Sequence, residues 1–154
     1  MTTPKLGYEE DTRITKTEIA RVQLTEAISL FLAGKHLCAI TLSGAAEEIF
    51  ARLLNSRGEK SIVESSFHEI QSIREKTGLC VMSNRLKNEV FNEWNSARNT
   101  LKHHGKESEE TISLNLFDEA YWMIRRALSN AEKLSISIDN EPEFENWVII
   151  KINL

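Results

Sequence analysis

The sequence predicts an all-α protein, an up-down bundle of five to six helices. Only two prolines and six glycines occur among its 154 residues, so long helices are permitted and a fold with many tight turns is not favoured. Apolar residues recur three and four positions apart, which is the spacing of one helical face. Capping residues precede these runs. Residues 1–13 are expected to form a flexible leader, and residues 14–154 a single helical-bundle domain.

Two helices are predicted in the first third of the chain. Thr15 or Thr17 can cap the first, and Gly34 can end it. The second runs from about residue 35 to residue 54, and the small residues "SGAA", 43–46, would let another helix approach closely. The expected buried faces comprise Ala20, Leu24, Ala27, Ile28 and Phe31 on the first helix, and Ala39, Leu42, Ala46, Ile49 and Leu53 on the second.

A third and a fourth helix follow. Ser61 can cap the third, which continues to about Lys76 and is closed by "TG". The fourth is expected to be long and continuous from about Cys80 to His104, with Gly105 as a natural stop.

The fifth helix has the most regular pattern, and the tail after it is ambiguous. The tail "NEPEFENWVIIKINL" begins with an asparagine cap and a proline in the first turn, which favours a short helix. Its segment "WVIIKI" has the composition of a strand, so both alternatives stay open. The fifth helix holds the helical period through Phe117, Ala120, Tyr121, Ile124, Ala127, Leu128, Ala131 and Leu134.

Composition excludes several classes of protein. The chain lacks the roughly 18–20 consecutive apolar residues of a membrane span, and its polar N-terminus has no apolar signal core, so a cytoplasmic location is expected. The net charge of −4 is not the basic footprint of a non-specific nucleic-acid binder. Cys38 and Cys80 lack CxxC spacing and are expected to be reduced, buried thiols. No metal site or cofactor is predicted.

The stretch "ARNTLKHHG", residues 97–105, concentrates polar groups near the end of the fourth helix. At about 100° per residue, the fourth helix is expected to bury one narrow apolar stripe, formed by Leu86, Val90, Trp94, Ala97 and Leu101. Asn99 and His103 lie one turn apart, nearly opposite this stripe. Arg98 lies at the flank of the stripe, about 140° from His103, and His104 comes back close to the stripe. Arg98 and His103 can share a target only if the helix end distorts, if the arginine wraps round, or if a second subunit completes the site.

These residue types suit phosphate chemistry. An arginine offers a planar fork of donors and stays charged, and an imidazole can move protons near neutral pH. Asn99 can hydrogen-bond to His103 and fix its ring. The competing interpretation is a solvated helix end whose basic residues complement the helix dipole. Spacing by itself favours that second interpretation.

Arg98, Asn99 and His103 form the pattern R-N-x-x-x-H, which resembles the Rx4–6H motif of HEPN (higher eukaryotes and prokaryotes nucleotide-binding) domains. The context is similar: the motif comes late on a long helix, followed by a polar loop and another long amphipathic helix. The segment "AITLSGAAEEIFARLL", residues 39–54, resembles the alanine-rich second helix of HEPN-like bacterial proteins. The resemblance covers roughly residues 15–135 and implies a HEPN-like arrangement of the bundle.

The resemblance also implies a function. Many HEPN domains are metal-independent endoribonucleases, often toxins or defence effectors, which dimerise to bring two motifs together. By this resemblance Arg98 holds the scissile phosphate, His103 is the acid and base, and Asn99 orients the histidine. The further residues expected to bind substrate are Lys102, His104 and Glu48.

The alternative function is a non-catalytic module that binds a nucleotide or a protein. The intact Arg-Asn-His set favours an enzyme, whereas the acidic total charge does not. The expected partners are a second copy of the chain, RNA or a nucleotide, and an antitoxin or nucleotidyltransferase protein; a membrane is not expected.

Other polar groups allow more than one interpretation. Glu47 and Glu48 face away from the expected stripe of the second helix, so a solvated acidic pair is favoured over a salt bridge to Arg98. Arg125 and Arg126 are expected on a solvated face, with a contribution to an RNA groove as the alternative. The residues expected in the core or in an interface are Trp94, Trp122 and Trp147.

Overall fold

The structure is a computed structural model and describes residues 3–78, 87–105 and 109–152. These residues form seven helices and no strand, so the all-α class is confirmed and the predicted count of five to six helices is wrong. The helices are α1 (Lys16–Leu32), α2 (His36–Ser56), α3 (Ile62–Thr77), α4 (Lys87–Trp94), α5 (Ser96–Lys102), α6 (Leu116–Lys133) and α7 (Glu141–Ile152).

Helices α1 and α3 begin at the capping residues that the sequence predicts. The Thr15 hydroxyl accepts a hydrogen bond from the Glu18 amide at 3.1 Å, and the Ser61 hydroxyl accepts one from the Glu64 amide at 3.3 Å. Each bond satisfies a backbone donor that has no partner within the helix. Gly78 closes α3 with a φ of 66°, in the left-handed region that glycine tolerates.

The core forms where α2 packs against both α1 and α6. The predicted face of α1 is fully buried, and the predicted face of α6 is buried apart from the half-buried Phe117 and Tyr121. Burial of this apolar surface is the main source of stability. The buried residues of these two faces are Ala20, Leu24, Ala27, Ile28 and Phe31 on α1, and Ala120, Ile124, Ala127, Leu128 and Ala131 on α6.

Helix α2 is rotated relative to the predicted face. Leu42, Ile49 and Leu53 are only half-buried. The side that is buried carries Ser43 and, unexpectedly, the carboxylate of Glu47. The apolar residues of this side are Ala39, Ile40, Ala46, Phe50 and Leu54. A charged group therefore lies inside the bundle, where it needs partners.

The C-terminal tail is a helix, which decides between the two sequence alternatives. On α7 the residues Phe144 and Val148, one turn apart, are buried. The Phe31 ring lies 5.4 Å from the Phe144 ring and 5.0 Å from the Trp147 ring, measured between centroids. Packing against this aromatic cluster outweighs the local strand propensity of "WVIIKI".

The predicted continuous fourth helix is wrong within the described residues. Helix α4 ends at Trp94 and α5 begins at Ser96. Helix α5 ends at Lys102, because His103 has extended backbone angles (φ −130°, ψ 136°). Residues 80–86 of the predicted helix, including Cys80, lie outside the described residues.

The expectation of a buried thiol is wrong for Cys38, which is exposed near the start of α2. Trp122 is 63% exposed, contrary to the expectation that the tryptophans lie in the core or in an interface. No helix in the described part of the chain is both long enough and apolar enough to cross a membrane.

Candidate functional site

The motif residues occupy the two ends of α5 and face different surroundings. Arg98 lies in the first turn of α5, which packs against α2. Asn99 follows it and is exposed. His103 comes directly after the last residue of the helix, and its amide donates to the Asn99 carbonyl at 3.2 Å. The sequence predicts a hydrogen bond from the Asn99 side chain to the His103 ring; the contact in the structure is a backbone one.

Arg98 belongs to a buried ionic cluster centred on Glu47. The side chain of Glu47 is 4% exposed, that of Arg98 11% and that of Arg126 17%. The Nη1 atom of Arg98 and the Nη2 atom of Arg126 each lie 3.3 Å from a different oxygen of Glu47. One carboxylate thus binds two guanidinium groups from two different helices.

Asn130 extends this cluster to α3. It is fully buried on α6. Its Nδ2 atom donates to Glu47 at 3.4 Å, and its Oδ1 atom accepts from the Ile62 amide at 2.8 Å. The first amide of α3 is thereby satisfied, and Glu47 gains a third donor. The Nε atoms of Arg98 and Arg126 have no hydrogen-bond partner among the described residues, so the network is satisfied only in part.

Gly44 makes room for Arg98 on the surface of α2. A Cβ atom at Gly44 would lie 2.6 Å from Cδ and 2.8 Å from Cγ of Arg98, which is too close for carbon atoms. The sequence predicts that the small residues 43–46 allow a helix to approach closely, and the structure confirms this for the approach of α5. Glycine at this position lets the arginine cross α2 and reach Glu47.

Arg126 also accounts for the break between α4 and α5. Its Nη1 atom donates to the Trp94 carbonyl at 2.9 Å, and its Nη2 atom donates to the Asn95 side-chain oxygen at 2.7 Å. A side chain that captures the backbone at this point is a recognised cause of a helix kink. The buried cluster therefore fixes the direction in which α5 leaves α4.

Glu48 lies at the rim of the cluster and is half-exposed. It hydrogen-bonds to Arg52 at 3.0 Å and lies 4.0 Å from Nη1 of Arg98. The hydrogen bond from Arg52 lowers the pKa of the Glu48 carboxyl, burial opposes this, and the charges of Arg98 and Lys102 lower it further. The favoured prediction of a solvated acidic pair is therefore wrong for Glu47, and the alternative, a salt bridge to Arg98, is the arrangement that the structure shows.

The other end of α5 borders an open groove of about 660 Å³. Asn99, Lys102, His103 and His104 line one part of it, together with Glu109 and Glu110. Lys102, His103 and His104 are all exposed. The expectation that His104 returns to the apolar stripe is therefore wrong. Helix α5 ends at Lys102, and the extended backbone of His103 directs the chain away from the helix before His104.

The structure brings together four of the six predicted site residues and separates the other two from them. Asn99, Lys102, His103 and His104 share the open groove, whereas Arg98 and Glu48 line a smaller one of about 260 Å³ over the ionic cluster. The helix end does distort, as one sequence alternative requires, but this distortion does not bring Arg98 into the groove of His103.

The sequence interpretation missed two members of the ionic cluster. Asn130 falls among the apolar positions of α6, and Arg126 appears as part of a basic pair. Arg126 lies in the cluster rather than on a solvated face, and its neighbour Arg125 forms a two-pronged ion pair with Glu145. One signal for the cluster is present in the sequence. Ser43, Glu47 and Leu54 recur on one side of α2, and if this side is buried it places the carboxylate of Glu47 in the core.

The open groove offers an imidazole, an ammonium and an amide to a polar ligand. The described residues include no group of three or more metal-ligating side chains arranged to hold a metal ion. No protein-family model, curated protein or solved structure matches the chain. The resemblance to HEPN domains thus rests on the motif and its sequence context.

Proposed function

We propose that the chain is a metal-independent endoribonuclease of the HEPN kind, which acts as a dimer and uses His103 for proton transfer. The observation that carries the proposal is the open groove in which His103, Lys102 and Asn99 lie together. An imidazole exposed beside an ammonium group can exchange a proton while the cation stabilises a neighbouring phosphate.

The chemistry is transfer of the phosphate to the ribose 2′-oxygen. An imidazole takes the 2′-hydroxyl proton, the 2′-oxygen bonds to phosphorus, and the bond from phosphorus to the 5′-oxygen breaks. An imidazolium returns a proton to that leaving oxygen, which gives a 2′,3′-cyclic phosphate and a free 5′-hydroxyl. In a two-fold dimer the two copies of His103 can divide these roles across one shared groove.

The structure suggests a different role for the arginine from the one that the resemblance implies. The Nη1 donor of Arg98 is engaged by Glu47, and the side chain is largely buried. Lys102 is exposed within the groove. We therefore propose that Lys102 contacts the phosphate and that Arg98 is a positioning residue, which holds α5 on α2 and so orients Asn99 and His103.

Glu109 and Glu110 work against tight RNA binding, because their carboxylates face the same groove and repel phosphate. We expect the double variant Glu109→Gln with Glu110→Gln to bind RNA more tightly than the parent at low salt. Unchanged RNA affinity would show that the substrate does not enter this groove.

The test is single-turnover cleavage of an end-labelled RNA in the presence of EDTA. Wild type should cleave it, and a substrate with deoxyribose at the cleaved position should resist. His103→Ala should lower the rate by about 10²–10⁴. The matched control is His68→Ala, an exposed histidine of α3 outside the groove, which should cleave normally. Equal cleavage by His103→Ala and wild type would contradict the proposal.

A second candidate function is a binding module without cleavage. It is favoured by one observation, that the motif arginine is tied to Glu47 instead of reaching the groove. In that case varied RNAs should stay intact while a nucleotide binds, and Lys102→Ala should weaken the binding. An antitoxin or nucleotidyltransferase partner remains part of either proposal.

The proposed dimer is tested separately, by measuring the molecular mass in solution. Light scattering at tens of micromolar should give twice the mass of one chain. A monomer under conditions in which RNA is cleaved would contradict the shared groove, while leaving the role of His103 standing.

A further inference from the structure

The smaller groove over the ionic cluster, which we call the cluster groove, has a volume of about 260 Å³. Helices α2, α3, α4, α5 and α6 all contribute to its lining. None of these residues lines the open groove of His103. Pockets for drug-sized ligands have volumes of roughly 300–1,000 Å³. The cluster groove therefore suits a small ligand that several helices contact at once.

The ionic cluster beneath this groove carries a positive charge that is not compensated. Arg98 and Arg126 share the single carboxylate of Glu47, each through a different oxygen. Their side chains are largely buried, so water screens the remaining charge poorly. A buried charge without a partner is unfavourable, and both arginines line the groove. An anion in the groove would supply the missing negative charge.

The two other carboxylates of the lining have cations of their own. Glu48 hydrogen-bonds to Arg52 at 3.0 Å, and Glu64 lies 3.4 Å from the Nζ atom of Lys87. Glu48 also lies 4.0 Å from Arg98, but one carboxylate cannot neutralise two arginines. Among the described residues that line the groove or pair with its lining, four cations thus face three carboxylates.

Arg98 has hydrogen-bond donors that a ligand can use. An arginine carries five N–H donors on three nitrogen atoms. In Arg98, Nη1 is the one nitrogen with a hydrogen-bond partner among the described residues, namely Glu47. The start of α3 also borders the groove, through Ser61 and Val63, and the start of a helix is the positive end of its dipole. Unused donors and a favourable dipole therefore meet at one small groove.

We propose that the cluster groove binds a phosphate group, with Arg98 and Arg52 as its principal donors. A guanidinium binds phosphate oxygens through paired hydrogen bonds. The tetrahedral oxygens of phosphate can accept donors from α2, α3 and α5 at once, whereas a carboxylate offers two oxygens in one plane. The inference does not depend on the proposed ribonuclease activity, because this groove and the groove of His103 share no lining residue.

The test is isothermal titration calorimetry of the full chain with inorganic phosphate, at an ionic strength held constant with sodium chloride. Phosphate should bind and should raise the melting temperature, whereas sodium chloride of equal ionic strength should not raise it. Adenosine monophosphate is the second probe, since it carries the same group on a larger molecule. It should bind no more tightly than inorganic phosphate, because the groove has little room for a ribose and a base.

Three variants test the residues directly. Arg98→Lys keeps the charge and removes the planar fork, so it should weaken phosphate binding by about ten-fold or more. Arg52→Gln should weaken it by about two- to five-fold. Glu48→Gln should strengthen it by a similar factor, because it removes a carboxylate that competes for both arginines. The matched control is Arg57→Gln, exposed just beyond α2 and outside the lining, which should bind phosphate as wild type does.

Circular dichroism checks that each variant is folded. If Arg98→Lys is not, the variants of Arg52 and Glu48 decide, since both side chains lie at the rim of the groove.

Several results would overturn the proposal. No binding at tens of millimolar phosphate would mean that the charge of the cluster attracts no ligand. An unchanged affinity in both Arg52→Gln and Glu48→Gln would remove the cluster groove as the site. Loss of phosphate binding in Lys102→Ala would place the anion in the open groove. Adenosine monophosphate that binds far more tightly than phosphate would indicate a nucleotide site instead.

Discussion

The two ends of α5 differ in almost every physical respect, although the motif joins them within six residues. At the first turn, Arg98 is largely buried and paired with a carboxylate that is itself buried. Beyond the last turn, His103 is exposed and lies in an open groove. A short polar motif can therefore combine one residue that stabilises the fold with another that is exposed to a ligand.

The largest effect is expected from removing the centre of the buried end. Glu47→Ala leaves the guanidinium groups of Arg98 and Arg126 without their shared carboxylate, and their Nε atoms already have no hydrogen-bond partner among the described residues. Uncompensated buried charge should lower the free energy of unfolding by about 3–5 kcal/mol. Urea denaturation at pH 7 measures this change in the free energy of unfolding.

The control for Glu47→Ala is its neighbour. Glu48 is 37% exposed and pairs with Arg52, so Glu48→Ala should cost less than about 1 kcal/mol. A loss as large for Glu48→Ala as for Glu47→Ala would show that Glu47 is not the buried centre of the cluster.

Gly44→Ala is expected to have the next largest effect. In the interior of an exposed helix this change usually stabilises by about 1 kcal/mol. Here the added Cβ would lie 2.6 Å from Cδ of Arg98, so a loss of about 1–3 kcal/mol is expected from overpacking. Denaturant unfolding measures the loss.

The double variant of Gly44→Ala with Arg98→Ala gives the sharper result. Once the arginine side chain is gone, Gly44→Ala should become neutral or stabilising, which is a coupling between contacting residues. The same destabilisation in both backgrounds would mean that the two residues do not touch.

The parts of the fold that the sequence predicts well are those with a single dominant pattern. The faces of α1 and α6 follow the helical period, and the caps at Thr15 and Ser61 are local signals. The tail was ambiguous because its strand propensity is local, whereas its helix is decided by distant contacts of Phe144 with Phe31.

The candidate site was predictable only in part, for a physical reason. Helical spacing predicts Asn99 and His103 on one side of a continuous helix; both do line the open groove, although His103 lies just beyond the end of α5. The carboxylate that pairs with Arg98, Glu47, lies 51 positions away on α2, and the side chain that breaks the helix, Arg126, comes from α6. The spacing of apolar residues carries no information about which distant side chains pair with one another. The break in the predicted continuous helix, residues 80–104, therefore could not be predicted from the sequence.

The smallest effect is expected at Glu141, a half-buried carboxyl in the first turn of α7. Burial raises the pKa of the Glu141 carboxyl, and repulsion from Glu145 adds to this. A raised folded-state pKa means that ionisation above the unfolded value opposes folding. Glu141→Gln should therefore slightly raise the melting temperature at pH 7.

The gain in Glu141→Gln should vanish as the pH falls below the unfolded value of a glutamate, about 4.3, because the parent carboxyl is then neutral as well. Melting curves at pH 7 and pH 3.5 check this. The matched substitution Glu143→Gln, on the exposed side of α7, should give no gain at either pH.

The most direct test of the division within the motif compares the free energies of unfolding of Arg98→Ala and His103→Ala, measured side by side with denaturant at pH 7. Arg98→Ala should lose more than about 2 kcal/mol, since it removes one partner of a buried ion pair. His103→Ala should stay within about 0.5 kcal/mol of the parent, as expected for an exposed side chain. Equal losses in the two variants, or a larger loss for His103→Ala, would contradict the account.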